Sequence, residues 1–323
     1  MKKRMSIAFA VVLLLLTIGL FGAGQYFYGV AINSTSGAVD LHGGGESETA
    51  IAASASKEQQ KKEEVIRQWT KQQEFEKVEL TTKDDLTLKA LYIENKEPSS
   101  KTVILAHGYK GNKEQMPGIT KFYYEQGFNV LKPDARGHGE SEGHYIGYGW
   151  HDRLDYQQWI DLLIKEKNAQ SIYLHGFSMG AATVLMTSGE DLPDEVKGVI
   201  ADSGYTSVKE ELSHQMKYLY NLPSFPVLNV TSMITNVRAG YSFEEASAIK
   251  QVEQSELPIF FIHGAKDDLV PTEMVNRLYE ATPGMKELWI VPDAKHTEGY
   301  TVAEKEYQKR LIQFIDKASN KEG

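Results

Sequence analysis

The chain has 323 residues, of which 41% are hydrophobic and 24% charged, a composition typical of an ordinary globular protein. Its 44 acidic and 35 basic residues give a net charge of -9, which disfavours a phosphate backbone as partner, so nucleic acid is not expected. Because the sequence contains no cysteine, disulfides, thiolate nucleophiles and thiolate metal sites are excluded, and any nucleophile must be an oxygen or a nitrogen.

The N-terminus carries the clearest non-globular feature. Lys2, Lys3 and Arg4 precede an uncharged apolar run over residues 5–24. At a rise of 1.5 Å per residue, about 20 residues can cross the roughly 30 Å hydrocarbon core of a bilayer. The run is longer than the apolar part of a secretory signal peptide, which favours an uncleaved signal anchor over a cleaved signal peptide or a buried soluble helix.

The charge distribution around this run predicts its orientation. The positive cluster lies on the short N-terminal side, so this end is expected to stay in the cytoplasm. We therefore predict a single-pass protein of the cell membrane whose large C-terminal domain is extracytoplasmic. Secretion after cleavage of a signal peptide is the alternative.

A spacer and a short helix are predicted next. Residues 33–56 are mostly Gly, Ser, Ala and Thr, which is typical of a flexible linker. The charged run 57–76 has Val65, Ile66 and Trp69 at helical offsets. Its charges are mixed in sign, which favours an amphipathic helix that docks on the main body over a partner-binding or membrane-surface helix. The predicted domains are an anchor over 1–32, a linker with this helix over 33–74, and a main domain over 75–318.

Beyond residue 75 the pattern changes to alternating strands and helices. Residues 75–80 and 86–93, separated by a turn, predict an antiparallel hairpin. Six short apolar runs follow, with helical stretches between them, of which 152–167 is the clearest. This order predicts an α/β fold with a mostly parallel sheet, helices on both faces and ligands beyond the carboxyl ends of the strands. The six runs are 102–106, 129–133, 171–174, 196–201, 258–262 and 287–291.

A G-x-S-x-G element follows one of these strands. Residues 175–180 read HGFSMG and lie between the strand over 171–174 and a predicted helix. In a sharp strand-to-helix turn, side chains at Gly176 and Gly180 would collide with neighbouring backbone. The helix N-terminus favours negative charge developing beside Ser178, which is therefore the predicted nucleophile.

A serine hydroxyl needs a general base, and the base needs an orienting acid. The strand over 258–262 runs into HGAKDDLVP, which offers a carboxylate at Asp267 or Asp268. The last strand is followed by PDAKH, which offers the imidazole of His296. The chain order Ser, Asp, His is the order expected for a sheet of this kind.

These motifs resemble the α/β-hydrolase fold, and the resemblance covers nearly all of residues 75–318. The loop PDARGHGESEG at 133–143 is similar to the superfamily's loop after the second parallel strand. With YIGYGW at 145–150 and the anchor, the chain resembles membrane-anchored bacterial serine hydrolases of the prolyl-oligopeptidase-like and dienelactone-hydrolase-like branches. In that family a D-x-x-V-P pattern marks the triad acid, which implies Asp267, with Asp268 as the adjacent alternative.

The resemblance also implies an oxyanion hole. One donor is the backbone N–H of Met179, and the other is the backbone N–H of Tyr109 in the sequence HGYKG at 107–111. The lipase form of this loop has glycines where this chain has Tyr109 and Lys110, which disfavours bulky or tertiary-alcohol substrates. No cofactor is implied.

Other polar residues at strand ends offer alternative roles. Asp202, after the strand over 196–201, is the main alternative triad acid, and Asp293 is a weaker one. Arg136 is interpreted as a structural arginine paired with acidic neighbours. No metal is expected, because four glycine-flanked histidines lack metal-ligand spacing and the resemblance assigns them to loop organisation. These histidines are His107, His138, His175 and His263.

The segment between residues 204 and 256 departs from regular alternation. It is apolar, aromatic and rich in methionine, and Pro223 and Pro226 interrupt it. In the resembled family an insertion at this position forms a small helical cap, predicted here over about 205–256. Most of its apolar residues are expected to pack on the body, and a few to line the pocket entrance above the nucleophile, which suits a hydrophobic acyl group.

The sequence therefore predicts a membrane-tethered serine hydrolase that acts on a small-molecule ester or lipid-like substrate. Ser178 is expected to attack a carbonyl, His296 to move the proton and Asp267 to orient the imidazole. Hydrolysis of carboxylic esters with small or hydrophobic acyl groups is the expected reaction. A peptidase or an acyltransferase of the same fold is an alternative, and a catalytically silent membrane-tethered binding protein is an alternative of another class.

Overall fold

The structure is a computed structural model that describes residues 2–35 and 57–320. Within these residues eight strands form one sheet. The strands are β1 (Glu76–Thr81), β2 (Thr87–Ile93), β3 (Lys101–Ala106), β4 (Asn129–Pro133), β5 (Ser171–Phe177), β6 (Val196–Asp202), β7 (Ile259–Gly264) and β8 (Lys286–Val291).

The sheet has the mostly parallel topology that the sequence predicts. Its strand order is β1-β2-β4-β3-β5-β6-β7-β8. The hairpin of β1 and β2 is antiparallel, β2 pairs antiparallel with β4, and all the remaining neighbours are parallel. Every residue of β4 and β7 is buried, because helices cover both faces of the central sheet, whereas the edge strand β1 buries only Val78.

Helices alternate with these strands. Helix α4 (Asp152–Lys167) has the bounds predicted for it, and its ends are compatible with the helix dipole, since Asp152 and Asp155 lie in its first turn and Lys165 and Lys167 in its last. The helices along the described chain are α1 (Lys2–Phe27), α2 (Lys57–Lys71), α3 (Pro117–Glu125), α4 (Asp152–Lys167), α5 (Met179–Thr187), α6 (Val208–Tyr220), α7 (Val227–Ala239), α8 (Ala248–Val252), α9 (Thr272–Ala281), α10 (Gly299–Val302) and α11 (Glu304–Ser319).

The N-terminal helix has two parts with different surroundings. Residues Arg4–Ile32 are long and apolar enough to cross a membrane, and most of α1 is exposed. Its end is not. α1 continues into a π-helical turn, Tyr28–Ile32, whose Tyr28, Val30, Ala31 and Ile32 are buried in the main hydrophobic core. The predicted linker beyond residue 35 lies outside the described residues.

Hydrogen bonds attach the end of this helical segment to the body. The backbone N–H of Ile146 donates to the carbonyl of Ile32 at 2.7 Å. The hydroxyls of Tyr109 and Tyr148 both donate to the carbonyl of Ala31, at 3.1 and 3.2 Å. The segment that the sequence assigns to the anchor is therefore also part of the folded body.

This packing predicts that truncation within the segment is costly. A variant beginning at Lys57 should have a free energy of unfolding lower by about 3 kcal/mol or more than one beginning at Gln25. Burial of a side chain such as Val30 or Ile32 is worth about 1.5–3 kcal/mol, and both are lost. Urea unfolding of the two variants measures the difference. Equal stabilities would mean that residues 25–34 do not contribute to the body.

Candidate active site

The turn at Ser178 is sharp and strained. Ser178 joins β5 to α5 with φ 54° and ψ -117°, a backbone conformation that L-residues rarely adopt. Both flanking glycines are required by close backbone contacts. A Cβ on Gly176 would lie 2.1 Å from the carbonyl oxygen of Gly180, and one on Gly180 would lie 2.2 Å from that of Ala106. The predicted G-x-S-x-G motif therefore lies in the strand-turn-helix context that exposes a serine hydroxyl.

The structure brings Ser178, His296 and Asp267 together. Nε2 of His296 lies 2.7 Å from Oγ of Ser178, and Nδ1 lies 2.8 Å from Oδ2 of Asp267. An ionised carboxylate can only accept, so the ring N–H is on Nδ1 and the lone pair of Nε2 faces the serine hydroxyl. This tautomer can take a proton from Ser178 when the serine attacks an electrophile.

The surroundings of Asp267 keep it ionised. Its Oδ1 accepts from the backbone N–H groups of Leu269 and Val270, at 3.0 and 2.9 Å. Nε2 of His263 lies 3.2 Å from Oδ2. Burial alone raises the pKa of Asp267, but the hydrogen bonds from His263 and His296 outweigh it and hold this pKa well below its usual range. A permanently charged carboxylate can stabilise an imidazolium on His296.

The other candidate acids lie elsewhere. Asp202 is buried, and it accepts a hydrogen bond from the hydroxyl of Tyr307 at 2.8 Å. Burial raises the pKa of Asp202. The side chains of Asp268 and Asp293 are exposed, and Oδ1 of Asp293 lies 2.6 Å from Nζ of Lys266. The imidazole therefore contacts Asp267 among these four carboxylates.

His107 orders the loop that follows β3. Its Nδ1–H donates to the carbonyl of Gly108 at 2.8 Å, and its Nε2 accepts from the backbone N–H of Ala135 at 3.0 Å. Burial lowers the pKa of His107 to about 4, so the ring is neutral and can make both bonds at neutral pH. His107 thus fixes the loop that contains Tyr109 against the end of β4.

The two backbone segments expected to bind an oxyanion both lie beside the serine. A Cβ on Gly108 would lie 3.5 Å from Cβ of Ser178, so the loop before Tyr109 contacts the turn at Ser178. Met179 is the first residue of α5, where backbone N–H groups have no carbonyl partner four residues earlier in the helix. These positions suit the two donors that the sequence predicts.

Two other polar side chains that follow or lie in the strands, His175 and Arg136, have structural partners. The ring of His175 lies between the hydroxyls of Tyr123 and Tyr307, at 2.9 and 3.1 Å. Arg136 donates through Nε and Nη2 to the carboxylate of Asp155, at 2.8 and 2.7 Å, which confirms its interpretation as a structural arginine. In residues 2–35 and 57–320 no group of three or more His, Asp or Glu side chains could hold a metal ion.

A cavity of about 710 Å³ opens on Ser178 and His296. One wall is α2, for which the sequence predicts docking on the body but gives no sign of a place in the site. The ring of Trp69 packs edge-on against Tyr124 at 5.4 Å between centroids, and Nζ of Lys62 lies 2.9 Å from Oε2 of Glu304. The apolar lining beside the serine consists of Ile66, Tyr109, Met116, Ile119, Phe177 and Tyr300.

The insertion between β6 and β7 does not line this cavity. No residue of 205–256, all of which the structure describes, is among its walls, so the prediction that the cap roofs the nucleophile is wrong. Position after β6 fixes where the insertion leaves the sheet but not the direction in which it folds. Its helix α7 packs against α1, and α6 supports the loop of the candidate acid.

The contact between α6 and the acid loop is made by an amide. Nε2 of Gln215 donates to the carbonyl of Leu269 and to Oε1 of Glu211, both at 2.9 Å. Burial, with a smaller contribution from the charge of Asp267, raises the pKa of Glu211 to about 8 against the hydrogen bond from Gln215. The folded protein therefore holds a proton on Glu211 that the unfolded chain releases above about pH 4.3.

This raised pKa predicts a pH-dependent stability. Because the folded state binds the extra proton, the contribution of Glu211 to stability is complete below about pH 4 and is lost as the pH rises towards and through 8. Glu211→Gln should be more stable than the wild type at pH 9 by about 1–3 kcal/mol, with a smaller difference at pH 5. Thermal unfolding measures both, with the exposed Glu273→Gln as control. Equal pH slopes in wild type and Glu211→Gln would contradict the assignment.

Comparisons with known proteins agree with this architecture. Residues 97–241 match the family model described as serine aminopeptidase, S33. The protein YqkD of Bacillus subtilis is 32% identical over 216 residues, which are 67% of this chain and 71% of that protein. Lysophosphatidylserine lipase ABHD12 of Danio rerio is 27% identical over 202 residues, 61% of this chain and 51% of that protein. An esterase structure from Pyrococcus furiosus aligns with a TM-score of 0.62 at 29% identity, covering 76% of this chain and 93% of the esterase.

A mostly parallel sheet with a strained serine turn at a strand's carboxyl end defines the class of protein as an α/β hydrolase. The relatives and solved structures are in agreement with it. The chain belongs to the α/β-hydrolase superfamily, and its activity is that of a hydrolase.

Proposed function

We propose that the protein is a membrane-anchored serine esterase for small or hydrophobic acyl substrates. The observation that carries this proposal is the continuous hydrogen-bond chain from Ser178 through His296 to Asp267, open to a cavity of about 710 Å³. A serine hydroxyl needs such a base and orienting acid to act as a nucleophile at neutral pH.

In the proposed reaction, Oγ of Ser178 bonds to the ester carbonyl carbon while its proton moves to Nε2 of His296. The backbone N–H groups of Met179 and Tyr109 receive the oxyanion, and each such donor is worth about 2.7–4 kcal/mol in related sites. Collapse breaks the ester bond, and His296 returns the proton to the leaving alcohol. Water then attacks the acyl-serine with His296 as base, which releases the carboxylic acid and restores Ser178.

The pocket supports an apolar acyl group. Ile66, Met116 and Phe177 are among the walls, whereas charged side chains come from α2 and α11 and include the Lys62–Glu304 ion pair. An acyl chain can bury its methylenes against such walls at about 0.8 kcal/mol each. The names of two similar proteins, an esterase and a lipase, are in keeping with an ester substrate.

The membrane location is part of the proposal. Residues 5–24 would cross the cell membrane as a signal anchor, with Lys2, Lys3 and Arg4 in the cytoplasm and the catalytic domain outside. The division into an anchor over 1–32, a linker and helix over 33–74 and a catalytic domain over 75–318 is retained as a proposal, with the end of the anchor packed into that domain. Secretion after cleavage remains the alternative.

A substrate panel tests the proposal. p-Nitrophenyl esters of increasing acyl length should be hydrolysed with kcat/KM about 100-fold or more above aminoacyl p-nitroanilides, and the Ser178→Ala variant should hydrolyse neither. The anilides measure aminopeptidase activity, which is the activity in the description of the matching family. Preference for the anilides would replace the esterase by a peptidase, and absence of both activities would favour the silent binding protein.

A further inference from the structure

A charge-poor segment runs from the end of α6 through α7. Residues 218–243 contain one charged side chain, Arg238, where the chain's 24% of charged residues would give about six. Neither Asp nor Glu occurs in these 26 positions. A surface segment of a soluble protein normally carries charges of both signs, so this composition needs an explanation.

Large apolar side chains of this segment are exposed. Phe225 is 73% exposed, Met233 69% and Val237 87%, and Tyr218 and Leu222 are also exposed. Met233 and Val237 are four residues apart on α7 and therefore share a face of the helix. Single exposed apolar residues are normal, but a group of them in a segment without acidic residues marks an interaction surface. We call these five residues the apolar set.

The segment lies against the end of the candidate membrane span. A Cβ on Gly24 would lie 2.6 Å from Cγ1 of Val230, and Oγ1 of Thr231 donates to the carbonyl of Gly24 at 3.4 Å. The guanidinium of Arg238 lies 5.0 Å from the ring centroid of Tyr28. Gly24 closes the stretch 5–24, which is about as long as a helix needs to be to cross the hydrocarbon layer, so α7 lies where a spanning α1 would leave that layer.

We propose that the apolar set is a second membrane contact, which inserts into the interfacial layer of the bilayer that α1 crosses. This inference rests on the proposed anchoring by α1. Aromatic and aliphatic side chains beside a charge-poor backbone suit the boundary between acyl chains and headgroups. Arg238 supplies a cation for lipid phosphates, and no carboxylate of residues 218–243 opposes it. The catalytic body is thereby held at the membrane through two elements.

The absence of cysteine makes a direct test simple, because a single introduced cysteine is the only labelling site. Full-length protein carrying Leu13→Cys, Val237→Cys or Val302→Cys is labelled with an environment-sensitive dye and reconstituted in phosphatidylcholine–phosphatidylglycerol vesicles. Leu13 lies within α1, and Val302 is a control valine, 48% exposed, on α10. Met233→Cys provides a second position in the apolar set, and ester hydrolysis shows that each labelled protein is folded.

The proposal expects a lipid environment at Val237 and Met233. Nitroxide-labelled lipid should quench the dye at both positions, and iodide should quench it about threefold less than at Val302. Equal iodide access at Val237 and Val302, with lipid quenching at Leu13, would overturn the membrane contact and leave the anchor intact. Lack of lipid quenching at Leu13 itself would instead overturn the anchoring.

A second copy of the chain is the competing occupant of this surface. In that case the dye at Val237 would be protected from iodide without quenching by nitroxide lipid. Energy transfer between donor-labelled and acceptor-labelled copies would then appear and would depend on protein concentration in the vesicle. That combination would also overturn the proposal.

Discussion

Replacing Ser178 by alanine should lower kcat/KM for ester hydrolysis by about 10⁴-fold or more, because it removes the hydroxyl that lies 2.7 Å from Nε2 of His296 and that would carry the acyl group. Alanine removes Oγ without adding volume, and it tolerates the positive φ at this position no worse than serine does. The free energy of unfolding should therefore change little. Steady-state kinetics and thermal unfolding measure the two effects.

A matched control comes from the other end of the same helix. Ser188 is also buried, and its hydroxyl donates to the carbonyl of Leu185 at 2.8 Å, away from the cavity. Ser188→Ala should lose about 1 kcal/mol of stability and almost no activity. If Ser178→Ala retained a tenth or more of the wild-type turnover, the assignment of the nucleophile would be wrong.

Asp267→Asn should lower kcat by about 10⁴-fold, the effect of the equivalent change in a related triad. The amide oxygen of asparagine can still accept from Leu269 and Val270, but its N–H₂ group then faces Nδ1 of His296. Nδ1 would have to accept, the proton would move to Nε2, and the imidazole could no longer take the proton of Ser178. Measurement of kcat with a p-nitrophenyl ester tests this loss.

The neighbouring carboxylates provide the controls. Asp268→Asn changes an exposed side chain and should leave kcat within about threefold of the wild type. Asp202→Asn should mainly affect stability, because Asp202 accepts from Tyr307 in the core. A severe loss of turnover in Asp268→Asn with a mild one in Asp267→Asn would move the acid role to Asp268, and two mild results would move it to Asp202.

Local sequence signals were sufficient for the sheet and for the candidate catalytic residues. Buried parallel strands have nearly continuous apolar runs, so β4 has its predicted bounds and β3, β5 and β7 lie close to theirs. Ser178, Asp267 and His296 each follow a strand, and a parallel sheet brings the carboxyl ends of its strands to one edge. Topology alone therefore gathers these three side chains.

The rest depends on tertiary contacts that periodicity does not encode. An amphipathic pattern predicts that α2 buries one edge, but not that Ile66 lines the cavity that opens on Ser178. The apolar residues of 204–256 do not indicate on which side of the body this insertion packs. Its helices contact α1 and the loop of the candidate acid, and they do not line the cavity. The sequence pattern does not predict the burial of Ile32 in the body, because residues 28–32 continue the apolar pattern of the span without a break.

Trapping of the covalent intermediate tests the central claim most directly. The protein is mixed with an excess of a p-nitrophenyl ester, quenched with acid within one turnover, digested and analysed by mass spectrometry. The mechanism predicts a burst of p-nitrophenol and a mass increase equal to one acyl group on the peptide that contains Ser178, absent in Ser178→Ala. Ester hydrolysis that persists in Ser178→Ala, or an acyl group on any other residue, would contradict a serine hydrolase acting through Ser178, His296 and Asp267.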